Sequence, residues 1–249
     1  MVRHILPLIP THKIYTEAFC GGAAIYWAKP PSEVEVINDL NHAVTAFWRV
    51  LKTEYQALRE QIELTLHSRD AYADALHILE RPHLFDELRV AWAIWVGCVQ
   101  GFGSKPESWG YDLNGTTIKK LGNKLAEFGP HLAHRLARTT VECNDALRVI
   151  ASRDTAGTFH YVDPPYFNSN CGHYEGYSEQ DFRNLLDLLS RVEGKFLLSS
   201  YPSDLLAEFT DRYGWHTVSI EQSVAVTGKR AGKKKKVEVL TANYPIQAN

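Results

Sequence analysis

The chain has 249 residues, 45% of them hydrophobic, with 22% charged and a formal net charge of -2. That length and apolar content build one sizeable domain with room for a smaller insertion. The charge balance excludes a uniformly basic nucleic-acid binder, so any such partner must be held by a local patch. The longest apolar stretch, Val90–Val99, is too short to span a bilayer, and the N-terminus carries no secretory pattern. The four cysteines, Cys20, Cys98, Cys143 and Cys171, form no C-x-x-C pair, and no residues show metal-ligand spacing. They read as buried free thiols in a cytoplasmic protein.

In chain order, Ile14–Ala18 reads as a short strand broken by Phe19-Cys20-Gly21-Gly22, with a short helix at Ala23–Ala28. Val34–Ile37 is a second strand ending on Asn38-Asp39, and Asn41–Leu51 has helical periodicity. This alternation opens a doubly wound α/β sheet. From Glu54 to Arg138 the pattern is helical, with no strand, clearest at Glu54–His67 and Leu84–Val99. Strands return at Thr139–Cys143 and Thr158–Val162, with a helix from Asp145 between them. Ser178 and Asp181 form a capping box for a helix through Arg191. Phe196–Ser200 is a strand and Ser203–Tyr213 a helix, and Trp215–Val226 with Val237–Ala242 alternate as a terminal antiparallel hairpin. The expected architecture is a Rossmann-like sheet from 1–53 and 139–249, interrupted by an inserted, mostly helical subdomain at 54–138.

Two places carry chemistry. Glycines after the first strand let the backbone turn tightly against a ligand, and Asp39, about twenty residues on, is placed to bind the hydroxyls of a ribose. Without further support, the same residues are a turn and a helix cap. Asp163-Pro164-Pro165-Tyr166 is more specific, because it follows an apolar strand where a doubly wound sheet opens its ligand crevice. An exocyclic amino nitrogen is a poor nucleophile, its lone pair being drawn into the ring. Two acceptors, the Asp163 carboxylate and the Pro164 carbonyl, would draw it towards tetrahedral geometry. Pro165 helps to fix that carbonyl, and Tyr166 offers a face for a base.

Taken together, these segments resemble the Dam-like, D12 class adenine-N6 DNA methyltransferases. The order is the same: Phe19–Gly22, an insertion, Asp163–Tyr166, and the closing Glu238-Val239-Leu240-Thr241-Ala242-Asn243-Tyr244. The resemblance implies S-adenosylmethionine as cofactor, double-stranded DNA as substrate and a bacterial or phage setting, with a cognate restriction endonuclease as a possible partner. It implies a cofactor site from Glu17, Phe19, Cys20, Gly21, Gly22, Asp39, Asp145 and Asp163, and a catalytic site from Asp163, Pro164, Pro165 and Tyr166. The Asp form of the motif favours adenine over cytosine. One departure stands out: the family opens on a Lys-x-Gly-Gly-Lys-type segment, whereas this chain starts at Met1-Val2-Arg3-His4. An RNA adenine methyltransferase, a protein-amide methyltransferase and a weakly active DNA- or cofactor-binding relative are the competing readings.

Two regions are candidates for holding DNA. Gly228–Lys236 carries six basic residues, Lys229, Arg230, Lys233, Lys234, Lys235 and Lys236, in a loop between the last two strands. Such runs are also common as solvated loops. Gln100–Gly115 holds Lys105, Trp109, Tyr111 and Asn114, which would reach base edges or fill the gap left by a flipped base, or pack a subdomain core.

Overall fold

The computed structural model describes residues 1–102, 105–111, 113–168, 177–224 and 234–247, and gives the backbone alone for 102, 105–108, 116, 117, 120, 222–224 and 234–236. In chain order the elements are α1 (Val2–Ile5), β1 (Ile14–Glu17), α2 (Ala24–Ala28), β2 (Val34–Asn38), α3 (His42–Thr53), α4 (Tyr55–Glu63), α5 (Arg69–Glu80) and α6 (Glu87–Gln100). There follow β3 (Gly101–Phe102), β4 (Lys105–Trp109), α7 (Thr116–Glu127), α8 (Pro130–Leu136), β5 (Thr139–Glu142), α9 (Ala146–Arg153) and β6 (Thr158–Val162). The chain closes with α10 (Glu179–Leu189), β7 (Lys195–Ser200), α11 (Asp204–Tyr213), β8 (His216–Val224) and β9 (Lys234–Ala242). It divides into two compact units, Met1–Asn38 with Asn144–Asn249, and Asp39–Cys143.

In the first unit the strands lie in the order β2-β1-β6-β7-β9-β8. β1 pairs in parallel with β2 and β6, and β6 with β7. β9 then runs antiparallel between β7 and β8. All five residues of β6 are buried, as befits a central parallel strand covered on both faces. The apolar faces of α9, α10 and α11 meet the sheet through Ile150, Phe182, Leu185, Leu206 and Phe209, packed with Val162, Phe196 and Trp215. Each such side chain contributes about 1.5–3 kcal/mol by leaving water. The expected α/β, Rossmann-like class with a terminal antiparallel hairpin is what the structure shows. The chain runs from β1 to β2 on one side and returns to β6 on the other, so the switch point of the sheet lies at the carboxyl ends of β1 and β6.

The boundaries of this unit are written in local chemistry. Asp145 caps α9, Ser203 caps α11, and Ser178 with Asp181 forms the reciprocal capping box of α10.

The second unit is mainly helical, with α6 packed on α3 and α5. Its buried face holds Val90, Ala91, Trp92, Ala93, Trp95 and Val96. The expectation of no strand in this region is corrected by the antiparallel pair β3–β4. Lys105-Pro106-Glu107-Ser108 has no apolar alternation to announce a strand. The ladder depends instead on close backbone approach: Gly110 N–H donates to the Gln100 carbonyl at 2.7 Å, and a Cβ on Gly110 would stand 3.0 Å from that oxygen. The thiols depart from expectation in part. Cys20 is buried, Cys98 is exposed and Cys143 is half-buried, while Cys171 lies outside the described residues. Among the described residues no helix is long and apolar enough to cross a membrane.

Candidate active site

The loop from β1 to α2 leaves the sheet under tight constraint. Gly21 has φ +44° and Ala23 φ +50°, the latter in a left-handed conformation that non-glycine residues seldom adopt. Cys20 N–H is anchored to the Asn38 carbonyl at 2.8 Å, and Ala23 N–H to the Cys20 carbonyl at 2.5 Å. A Cβ on Gly21 or Gly22 would meet nothing within 4 Å, so the space above the loop is open. Beneath it, Glu17 is 3% exposed and accepts hydrogen bonds from the Tyr15 hydroxyl at 2.7 Å and the Tyr26 amide at 2.9 Å. Burial pushes its carboxyl up to about 8, against the pull of those two hydrogen bonds, with the Asp163 charge adding to the rise.

Asn38, at the end of β2, ties two loops together. Its amide nitrogen donates to the Ala18 carbonyl at 2.8 Å and to the Asn144 carbonyl at 3.0 Å, and its oxygen accepts from the Asn144 amide at 2.9 Å. Asp145, the next residue, accepts from the Arg148 amide at 3.1 Å as the cap of α9. Phe19 meets Tyr177 edge to face, with centroids 6.4 Å apart. Asp39 begins the second unit, where its carboxylate accepts from the Asn41 amide at 2.9 Å.

Asp163 emerges from the carboxyl end of β6 with its side chain exposed. The Tyr166 hydroxyl donates to Oδ1 at 3.1 Å and the Tyr161 hydroxyl to Oδ2 at 3.3 Å. The Tyr166 hydroxyl also bonds Ser199 Oγ at 2.9 Å, and its ring stands 4.4 Å from that of Tyr201 at 60°. Burial, and after it the Asp163 charge, raises the pKa of both Tyr161 and Tyr166, so both phenols stay protonated as donors. Pro164 is buried and followed by Pro165, which restricts the backbone at the Asp163 end of the segment.

Glu17, Phe19, Cys20, Gly21, Gly22, Asp145 and Asp163–Tyr166 thus all fall in the first unit. The β1 loop and the Asp163 segment follow adjacent parallel strands. Asn38, Tyr161, Ser199 and Tyr177 escaped the sequence reading. Tyr161 carries a local signal, lying two residues before Asp163 and on the same side of the strand.

In the second unit, Trp109 and Tyr111 stack at 5.8 Å and 18°, and His67 stacks on Trp109 at 4.7 Å. The Arg69 guanidinium lies over both rings, 4.6 Å from Trp109 and 5.3 Å from Tyr111. Trp109 Nε1 donates to buried Gln100 at 3.4 Å, while Tyr111 is 62% exposed. Trp109 therefore anchors the stack and Tyr111 presents it, a division the sequence left open. Asn114 is exposed, just ahead of α7, and Lys105 opens β4. Lys229, Arg230 and Lys233 lie outside the described residues. The basic run is not wholly a loop, because Lys234, Lys235 and Lys236 begin β9 in register with Val224, Ser223 and Gln222.

Comparison with known proteins gives one family match, over the N-terminal part of the chain. Residues 1–89 match the D12 class N6 adenine-specific DNA methyltransferase family. The match covers β1, its loop, β2 and the chain through α5, and it bears out the resemblance drawn from the motifs. No curated protein matches the chain. A solved precorrin-6y C5,15-methyltransferase from Geobacter metallireducens GS-15 aligns at 17% identity over 52% of this chain and 62% of its own, with a TM-score of 0.29. That score is too low to bear on fold or function, and the fold rests on the strand order itself.

Proposed function

We propose that this chain transfers a methyl group from S-adenosylmethionine to N6 of a flipped-out adenine in DNA. The observation that carries the reading is the Asp163 carboxylate, exposed at the switch point of the sheet and gripped by two protonated phenols in an Asp-Pro-Pro-Tyr segment.

The residues present fit the cofactor. The β1 loop offers open space above Gly21 and Gly22, backed by Phe19 and by the Asp145 end of α9. The Tyr177 hydroxyl is buried there without a hydrogen-bond partner among the described residues. Held there, S-adenosylmethionine would supply a methyl group activated on a sulfonium, whose sulfur keeps the electron pair of the carbon–sulfur bond when N6 accepts the methyl carbon. Asp163 accepts one N6–H and the Pro164 carbonyl the other, which localises the nitrogen lone pair. A carboxylate oxygen carries more than one lone pair, so accepting from a phenol does not prevent it from accepting from N6 as well. As the new bond forms, Asp163 takes the N6 proton and, being exposed, passes it to water. Tyr166 is locked by Asp163 and Ser199, so its ring is a fixed face for the base.

A base inside a duplex is out of reach, and flipping costs a few kcal/mol. The Tyr111–Arg69 stack, Asn114, Lys105 and the basic run Lys229–Lys236 offset that cost through base and phosphate contacts.

The test is transfer of a radiolabelled methyl group to unmethylated duplex DNA, RNA and protein in parallel, with Asp163→Ala as control. Label on DNA adenine that the variant loses establishes the reading. Label on RNA or protein alone replaces the substrate, and cofactor binding without label on any of the three removes the enzymatic reading.

A further inference from the structure

Tyr177 stands immediately before the Ser178 cap of α10. Its ring is set edge-on to Phe19, at the mouth of the β1 loop. Its hydroxyl oxygen is shielded from solvent, yet it has no hydrogen-bond partner among the described residues. A buried hydroxyl left in that state is destabilising, and folded proteins seldom keep one without a use. Burial, followed by the charges of Asp181 and Asp145, holds its pKa well above the usual phenol range, so it is a donor at any physiological pH. The phenol needs an acceptor, and two neighbouring segments are also features of the proposed cofactor site: the open Phe19–Gly22 loop and the Asp145 cap of α9.

We propose that Tyr177 is a cofactor-binding residue whose hydroxyl donates a hydrogen bond to a ring nitrogen of the adenine of S-adenosylmethionine. Adenine ring nitrogens are acceptors only, which matches a phenol with a proton to give. The proposal rests on the cofactor named above but not on the identity of the methyl acceptor. It separates Tyr177 from the tyrosines around Asp163, whose hydroxyls are already bonded within the protein.

A ligand-seeking hydroxyl and a structural one respond oppositely to removal. Tyr177→Phe deletes only the oxygen. In the free protein the variant should melt at the same temperature as the wild type or higher, because an unsatisfied polar atom has gone. Binding of S-adenosylhomocysteine, measured by calorimetry, should weaken about 5- to 10-fold, the size of one hydrogen bond. Adenosine, which lacks the amino-acid part, should weaken by the same factor.

Lower stability of free Tyr177→Phe would show that the hydroxyl has a partner in the fold, and would overturn the assignment. So would affinities equal within twofold, or a loss seen with S-adenosylhomocysteine and not with adenosine. If the wild type binds S-adenosylhomocysteine while Tyr177→Phe binds it equally well, this inference fails and the methyltransferase reading stands. If the wild type binds neither compound, the cofactor reading and this inference fall together.

Discussion

Replacing Glu17 by glutamine asks whether the carboxyl beneath the β1 loop is held neutral by its surroundings. Its pKa in the folded chain is about 8, against 4.5 for the ordinary group, and burial is the main cause. Between those values the folded state holds a proton that the unfolded chain has lost, so stability falls as pH rises through the window. By pH 7 the loss amounts to about 3 kcal/mol, and by pH 9 to about 5 kcal/mol. Glutamine matches the neutral acid in shape and keeps an acceptor for the Tyr15 hydroxyl and the Tyr26 amide, but it never ionises. Urea unfolding of both proteins from pH 5 to pH 9 measures the difference, in which the other titrating groups cancel. The variant's advantage should grow by about 1.4 kcal/mol per pH unit between pH 5 and 8 and level off above. A difference that stays constant across that range would refute the argument, since it would mean that Glu17 ionises as freely in the fold as out of it.

Three further outcomes follow from the same geometry. Asn38→Ala strips partners from the Ala18 carbonyl and from both the carbonyl and amide of Asn144, and should lower stability by about 3 kcal/mol in thermal or urea unfolding. Asn38→Asp should do no better, because a carboxylate has no N–H to give those carbonyls. Arg69→Ala removes the cation from the Trp109–Tyr111 stack and should weaken binding to a fluorescein-labelled duplex about tenfold with the melting temperature within a few degrees. Unchanged anisotropy titrations would reduce the stack to a structural feature. His160, fully buried, faces Thr16 Oγ1 at 2.7 Å and the Asp154 carboxylate at 3.3 Å, and burial lowers its pKa despite Asp154. It should carry its proton on Nε2 at pH 7 and stay neutral through pH 6.5, so that its share of stability is lost as pH falls below that point. Nitrogen-15 spectra showing an Nδ1–H tautomer, or titration at 6.5, would contradict this.

What was legible in the sequence was local. Thr158–Val162 announces itself as a strand through its aromatic and β-branched residues, and Ser178 with Asp181 marks a helix start by chemistry that acts over three residues. The Asp163–Tyr166 segment was legible because its residue types are adjacent in the chain. Within each unit, contacts at the candidate residues join positions far apart in sequence: Asn38 with Asn144, Tyr166 with Ser199 and Phe19 with Tyr177 in the first, Arg69 with Trp109 in the second. No periodicity encodes such pairings. The β3–β4 pair was missed for another reason, its residues being joined by backbone contacts at glycines rather than by an apolar face.

The placing of β9 has a consequence for biosynthesis. This strand is made after β1, β2, β6, β7 and β8, yet in the sheet it lies between β8 and β7. Until it arrives, β7 presents an unpaired edge of buried residues, and β8 has no partner on which to lie. A nascent chain stalled before residue 234 therefore lacks an interior strand rather than a tail, and its open edge is a template for joining another chain. The order of synthesis thus leaves the gap between β7 and β8 open until β9 is made.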